Sequence, residues 1–440
     1  MSELALVSEG IAGFAQRAAA ARAAAQSLDL QYYIWKTDLT GQLLAREALA
    51  AADRGVRVRI LIDAMYGLGR RFRLAALAAH PMIELRRFNA SRWRRWGLPG
   101  VVLDYLLGNW RLNRRMHNKA WIADGRVVIC GGRNIGDSYF DASGEMNFRD
   151  LDVVLRGRPA AAAAEIFEAF WADPLSRPIR ARGRGLRRLR WRLERLAATR
   201  EARHFLEHVA GHAPRGVAVR DDAVAIIGDA PAKVHGLAGS SVAPEVAAML
   251  GAARRQALLI SPYFVPGEAV AGRLMAMAQA GIRVSVITNS LAATDVMAAH
   301  AGYANYRRRL IAAGVELHEL KRSSDKRATV FGSSSASLHT KAVVVDDGPV
   351  FIGSFNLDPR SANLNTEMGV LVRHRALARL MRLQHRWLAA GERSWRLRLQ
   401  GGRLCWDDGV VEHTGHEPGA TWTRRMLTPL LARLPIESQL

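Results

Sequence analysis

Two stretches of the chain carry the same reactive side chains at the same spacing. Met116–Asn134, MHNKAWIADGRVVICGGRN, holds His117, Lys119, Asp124 and Asn134. Leu338–Asn356, LHTKAVVVDDGPVFIGSFN, holds His339, Lys341, Asp346 and Asn356. In each, Lys follows His by two positions, Asp follows Lys by five, and Asn follows His by seventeen. These groups together suit a phosphate: Lys as a compact positive charge, Asn as a neutral donor, His as nucleophile or proton carrier. One such stretch is as easily a solvated strand edge. Two, each with its matched Asn, read as a duplicated half-site. Lysine usage agrees, because only six of the 63 basic residues are Lys and two of them fall here.

The surrounding residues say how these groups are positioned. Each stretch is an apolar, β-branched run broken by a turn signal, Asp124-Gly125 or Asp347-Gly348, and reads as a β-hairpin. Residues two apart on a strand share a face, so His and Lys point the same way. Asp124 and Asp346 fall an odd number of positions further on, at the strand end. Strand parity therefore gives them a structural part in the turn or an ion pair. Folding the hairpin back brings Asn134 and Asn356 close to their histidines across the ladder.

The duplication extends beyond the motif. LDLQYYIW, a helical stretch ending at Gly55, and VRVRILID form a β-α-β unit; ALLISPYFV, Arg273–Ala280, Gly281 and IRVSVIT repeat it. Tyr33 and Tyr263 occupy equivalent strand ends. Downstream of the motifs, FRDLDVVL and NTEMGVLV are a further matched pair of strands, and Asp150 aligns with Glu367. Either acid can orient a catalytic His through Nδ1; an ordinary strand-end carboxylate is the alternative for Asp150. The expected architecture is α/β: two duplicated α/β/α lobes with mixed sheets, related by a pseudo-twofold axis, with one site at their interface. The expected boundaries are 1–177 for the first lobe, with an insertion at about 88–116, 178–204 for a basic linker helix, 205–390 for the second lobe, and 391–440 for a tail.

A formal charge of +23 and a pI near 11.1 over 440 residues imply a polyanionic partner, nucleic acid or an anionic membrane surface. Two cysteines, Cys130 and Cys405, give neither a disulfide framework nor a metal spacing, and no cofactor or metal is expected. No run of eighteen apolar residues predicts a membrane span, and residues 3–26 read as a helix and not a targeting segment. Trp93, Trp96 and several Arg flank the apolar GLPGVVLDYLLGNW, as in a segment lying in a membrane interface. Leu186, Leu189, Leu193 and Leu196 recur at helical spacing in the Arg-rich 178–204, a basic amphipathic helix. Ser323–Ser337 reads as a mobile loop before the second motif, and Thr421–Leu440 as a basic apolar end that caps the fold or inserts into lipid.

With both His-x-Lys-x4-Asp motifs intact, the chain resembles the phospholipase D superfamily over roughly residues 25–390. QYYIWKTDLTG, LNRRMHNKA, GGRNIGDSYF, NSLAATDV and LPIESQL make it most similar to bacterial cardiolipin synthases of the type lacking N-terminal membrane spans. The resemblance implies a catalytic set of His117, Lys119, Asp124, His339, Lys341 and Asp346, with Asn134 and Asn356 binding substrate and Asp150 and Glu367 in support. It implies a phosphatidyltransferase that passes through a phosphohistidine, with His117 as nucleophile and His339 as acid and base, at the cytoplasmic face of the inner membrane. Phosphatidylglycerol and a second phospholipid would be its substrates, and the sequence leaves the oligomeric state open. Asp63–Gly67, DAMYG, departs from the more polar loop of that pattern and puts the acceptor-side contacts in question. Phospholipid hydrolysis is the alternative, and a nuclease is a more distant one, since the Trp- and Leu-rich basic segments look interfacial. A scaffold without activity is disfavoured because every motif residue is present.

Overall fold

In a computed structural model, each half of the chain builds one large mixed sheet flanked by helices. The structure describes residues 1–65, 73–93, 96–181, 183–212, 216–322, 330, 335–434 and 437–439, without the side chains of 183 and 184. The first sheet has nine strands in the order Val217–Val219, Ser2–Val7, Asp152–Arg156, Val127–Gly131, Ala120–Ala123, Ser27–Tyr32, Arg57–Asp63, Ile83–Phe88, Ser176–Pro178. The second has ten, in the order Val224–Gly228, Met368–Arg373, Pro349–Gly353, Ala342–Val345, Gln256–Ile260, Arg283–Asn289, Glu316–Leu320, Ser394–Gln400, Arg403–Asp407, Glu412–Thr414.

Each sheet contains three adjacent parallel strands, Ser27–Tyr32, Arg57–Asp63 and Ile83–Phe88 in the first and Gln256–Ile260, Arg283–Asn289 and Glu316–Leu320 in the second. Beside them lies the antiparallel hairpin of each motif, Ala120–Ala123 with Val127–Gly131 and Ala342–Val345 with Pro349–Gly353. The His-x-Lys pair sits in the extended run just before each hairpin. In the first turn Asp124 (φ 53°) and Gly125 (φ 61°) are both left-handed, as a tight hairpin needs. In the second, Asp346 (φ 50°) takes that conformation, so the turn begins one residue earlier than the Asp347-Gly348 signal indicates.

The lobes are joined through backbone at the site. Asn147–Arg149 pairs in parallel with Ala336–Leu338, one strand from each lobe. Met116 forms a parallel bridge to Thr366. The core between the lobes is continuous, with Cys130, Val153 and Phe167 of the first packed in one cluster with Val350, Ile352 and Val370 of the second.

Several expectations are corrected. The N-terminus is not one helix: Ser2–Val7 is a strand between Asp152–Arg156 and Val217–Val219, and the helix starts at Gly10. Two ladders' worth of hydrogen bonds outweigh the local helical pattern. FRDLDVVL is two short strands broken at Asp150-Leu151, which frees Asp150 from the ladder. The Arg-rich segment is two helices, Gly183–Ala197 and Arg200–Val209, with Thr199 capping the second. Leu189, Leu193 and Phe205 are buried in the first lobe's core, so the apolar stripe packs on protein and only its basic face remains for a membrane. Val217–Val219 belongs to the first sheet, which moves the lobe boundary past 205. Residues 391–440 are no appendage, since they add three strands to the second sheet and a helix, Trp422–Ala432. Most of Ser323–Ser337, with Tyr66 and Gly67 of DAMYG, lies outside the described residues.

Candidate active site

The fold brings both motifs to one place and crosses their partners. His117, from the first lobe, donates through Nδ1 to Glu367 of the second, at 2.9 and 3.1 Å to its two oxygens. His339, from the second lobe, donates through Nδ1 to Asp150 of the first, at 2.5 Å. The backbone makes this exchange obligatory. His117 N donates to Thr366 O (2.9 Å), next to Glu367, and His339 N donates to Arg149 O (2.8 Å), next to Asp150. With Nδ1 fixed as the donor, the chemistry of each imidazole is confined to Nε2, which can attack when bare or give up a proton when protonated.

Glu367 is held hard. Ser354 Oγ (2.5 Å) and Ser361 Oγ (2.8 Å) donate to it, and its own N–H donates to Asp229. In the other half-site Gly132 stands where Ser354 stands, and a Cβ there would lie 2.1 Å from Asp150 Oδ1. The shorter acid packs on the bare glycine and the longer acid takes a hydroxyl. Burial pushes both carboxyls up, but His117, Lys119 and Ser354 for Glu367, and His339, Lys341 and Arg133 for Asp150, more than offset it and hold both below the usual range.

The cations between them are strongly desolvated. Burial, partly offset by Glu367, pushes Lys119 down to about 7; burial, partly offset by Asp150 and Glu367, pushes Lys341 to about 8. Lys341 also depresses Lys119, so the two ammonium groups repel one another. Burial pushes His117 down to about 4, and burial with Lys341 lowers His339. Burial thus keeps the His117 ring neutral near pH 7, as a nucleophile requires. A buried phosphate would relieve the lysine repulsion and satisfy both desolvated cations at once.

Tyr33 stands edge-on to His117 with centroids 5.2 Å apart, and Tyr263 stands 6.4 Å from His339. The two tyrosines wall the site symmetrically and also face Lys119 and Lys341 at 5.7 and 6.0 Å. Asn134 accepts from Ile34 N (3.1 Å) and donates to Tyr139 Oη (3.1 Å). Asn356 is buried, and its Oδ1 has no partner among the described residues.

Asp124 and Asp346 are not brought to the histidines, which corrects their place in the catalytic set. Asp124 accepts from the N–H groups of Ala25, Gln26 and Ser27 at 2.8–3.0 Å, and Asp346 from those of Arg254, Arg255 and Gln256 at 2.8–2.9 Å. Each ties its hairpin turn to the first parallel strand of its own lobe. The sequence reading missed Ser354 and Ser361, and it missed Asp63 and Asn289, which sit at equivalent strand ends. Asp63 Oδ2 accepts from Met116 N (2.9 Å), and Asn289 Oδ1 accepts from Leu338 N (2.9 Å). Each fixes the residue before a histidine. Aligning VRVRILID with IRVSVITN gives that equivalence.

A family model described as the phospholipase D-like domain of cardiolipin synthase matches residues 18–171 and 246–387. Cardiolipin synthase C of Escherichia coli K12 is 38% identical over 450 positions, covering 96% of this chain and 93% of its own length. Cardiolipin synthase 1 of Bacillus cereus is 26% identical over 82% of this chain and 62% of its own. The crystal structure of phosphatidylserine synthase from Haemophilus influenzae Rd KW20 has the same fold, with a TM-score of 0.65 over 99% of this chain and 95% of that one at 13% identity.

Proposed function

Because the chain belongs to the phospholipase D-like cardiolipin synthase family, we propose that it is a phosphatidyltransferase making cardiolipin from phosphatidylglycerol and a second phospholipid. The observation that carries this is the crossed pair of histidines, each oriented by a buried carboxylate of the other lobe, around two desolvated lysines. That arrangement fits two successive displacements at one phosphorus.

In the first displacement the Nε2 lone pair of His117 forms a P–N bond while the P–O bond to the leaving alcohol breaks. His339, protonated on Nε2, passes its proton to the departing oxygen. In the second, the glycerol hydroxyl of phosphatidylglycerol forms a P–O bond as the P–N bond breaks, and its proton goes to His339. Lys119 and Lys341 offset the charge on the phosphoryl oxygens throughout, with Asn134 and Asn356 beside them. The order His117 first follows the resemblance. Water in place of the glycerol hydroxyl gives phosphatidic acid.

We further place the protein peripherally on an anionic membrane surface at the cytoplasmic face. Among the described residues no helix is long and apolar enough to cross a membrane. Leu98, Leu106, Leu107 and Trp110 project from the helix Gly97–Leu106 and the turn after it at 62–73% exposure, an apolar face that suits lipid.

The test is a product assay on the purified protein with mixed phosphatidylglycerol and phosphatidylethanolamine vesicles, read by mass spectrometry, with His117→Ala and His339→Ala alongside. Cardiolipin from the wild type and none from either variant is expected. Phosphatidic acid alone would make the protein a hydrolase, and no lipid product would overturn the reading.

A further inference from the structure

The two half-sites share their histidines, lysines, asparagines and tyrosines, but at one end their charges differ. Arg115 lies two positions before His117; the equivalent position before His339 is Ser337. Arg360 lies four positions after Asn356; the equivalent after Asn134 is Ser138. Because the lobes exchange partners, Arg115 of the first and Arg360 of the second meet at one end of the site. The chain holds them there: Thr366 N donates to Arg115 O (2.9 Å), and Arg360 donates to the carbonyl of Asn113 (2.5 Å) and to its side chain (3.2 Å). The opposite end carries two serines at the same positions, with Asp295 bound to Tyr263 Oη at 2.9 Å.

Two guanidinium groups near enough to feel one another's charge, one buried and one half-buried, need a reason. Arg115 is only 4% exposed, and its Nε is buried with no partner among the described residues. Its carboxylate neighbour, Asp63, is 3.8 Å away, and both Asp63 oxygens already accept backbone N–H groups, from Met65 and Met116. The half-buried Arg360 guanidinium is pulled below the ordinary arginine range by burial and by Arg115, with Tyr33 opposing. A desolvated, underpaired arginine beside a second one is a costly arrangement unless an anion sits between them.

We infer that Arg115 and Arg360 form a second anion site, which holds the phosphodiester of the acceptor lipid while its terminal hydroxyl attacks. The inference rests on the transferase reading above. The acceptor phosphatidylglycerol brings a phosphate of its own that undergoes no reaction, joined to the attacking hydroxyl through three carbons. Residues two apart on an extended run share a face, so Arg115 stands about 6–7 Å beyond His117 on the side away from Lys119. Lys119 and Lys341 take the reacting phosphate, and the arginine pair takes the second. Water and free glycerol lack that phosphate and gain nothing from the pair. The site thereby favours a lipid acceptor over the solvent that competes for the same intermediate.

The experiment compares products that share that intermediate. Wild type, Arg360→Gln, Arg115→Gln and the two Lys substitutions are incubated with chain-labelled phosphatidylethanolamine and phosphatidylglycerol vesicles in buffer containing deuterated glycerol. Labelled cardiolipin, deuterated phosphatidylglycerol and phosphatidic acid are then quantified. In both Gln variants the ratio of cardiolipin to phosphatidic acid should fall at least tenfold, while the ratio of deuterated phosphatidylglycerol to phosphatidic acid stays within twofold. The Lys variants should recover part of the loss. All three products falling together, or an unchanged cardiolipin ratio, would overturn the second site. Arg360, the less buried of the two, carries the test if Arg115→Gln fails to fold. No lipid product from the wild type would instead remove the transferase reading itself.

Discussion

An imidazole whose Nδ1 is tied to a buried carboxylate has its reactivity confined to Nε2. Replacing Glu367 by Gln keeps the shape but removes the charge that fixes the His117 tautomer. We expect transfer to fall by at least about a hundredfold, measured as initial cardiolipin rate, with little change in thermal unfolding. Asp150→Asn should act alike through His339. Gly132→Ala should mimic Asp150→Asn, since the added Cβ would meet Asp150 Oδ1 at 2.1 Å and displace it; a normal rate would show that the carboxylate has room to move. The lysines set the pH dependence. Both have pKa values lowered to about 7 and 8, so the protonated, phosphate-binding form prevails below that range and is lost above it. Bound phosphodiester favours the charged form, so KM should climb toward about tenfold per pH unit above pH 8 while kcat changes less. A flat KM from pH 7 to 9 would sink that account. At this scale most of the site is written in the chain: the spacing alone gives both histidines, both lysines and both asparagines. What it does not give is the crossing of Asp150 and Glu367 between lobes. Their alignment is a local fact, and the choice of partner depends on how two separate sheets dock.

The hairpins and the parallel strands beside them form a frame that must hold the two His-x-Lys runs in register. Asp124 and Asp346 are the fasteners, each accepting three backbone N–H groups from the start of the neighbouring strand. Asp124→Ala leaves those donors without their partner in a left-handed turn that also disfavours alanine. A loss of about 1–3 kcal/mol is expected from each substitution, read as a lower urea midpoint, with the transfer rate per folded molecule largely kept. If Asp124→Ala instead abolished turnover in a normally stable protein, the carboxylate would have a chemical part that its position does not explain. The parity of the strand already separates Asp from His and Lys, so this role is legible without coordinates. Less legible are elements whose local pattern loses to long-range pairing. Ser2–Val7 is drawn into the sheet edge, and FRDLDVVL breaks at Asp150 because Arg149 must pair with the other lobe. The Arg-rich segment shows a real amphipathic period, but nothing in a period says whether its apolar stripe meets lipid or protein.

At the scale of the whole molecule, two exposed apolar elements, the insertion at about 88–116 and the C-terminal segment, come together. The insertion is pinned at its base by Asn89, whose Nδ2 donates to the carbonyls of Arg111 and Arg114 at 2.9 and 2.8 Å, and its helix presents Leu98, Leu106, Leu107 and Trp110 outward. The C-terminal helix, Trp422–Ala432, packs on Met297–Ala304 and exposes Trp422, Met426 and Leu430. The segment after it reaches the insertion: Asn113 donates to the Gln439 side chain, and Arg360, at the arginine end of the site, donates to Gln439 O at 3.1 Å. Two apolar elements from distant parts of the sequence thus flank one end of the site, each with Arg beside it. A lipid whose phosphate must reach between the lobes arrives by way of such a rim when the rim is seated in the bilayer surface. A leucine side chain transferred from water contributes about 1.5–3 kcal/mol, so Leu106→Glu with Leu107→Glu should weaken partitioning to phosphatidylglycerol vesicles by at least tenfold in flotation. Leu430→Glu should weaken it less, because that helix lies against protein on its other face. The basic residues add an attraction that salt screens, so binding of the wild type should also fall as ionic strength rises and as anionic lipid is diluted with zwitterionic lipid. Unchanged flotation of the Leu106 and Leu107 double variant would mean that the protein meets the membrane by another face. The exposed basic side of Gly183–Ala197 would then be the next surface to test, through charge reversal of Arg187 and Arg188.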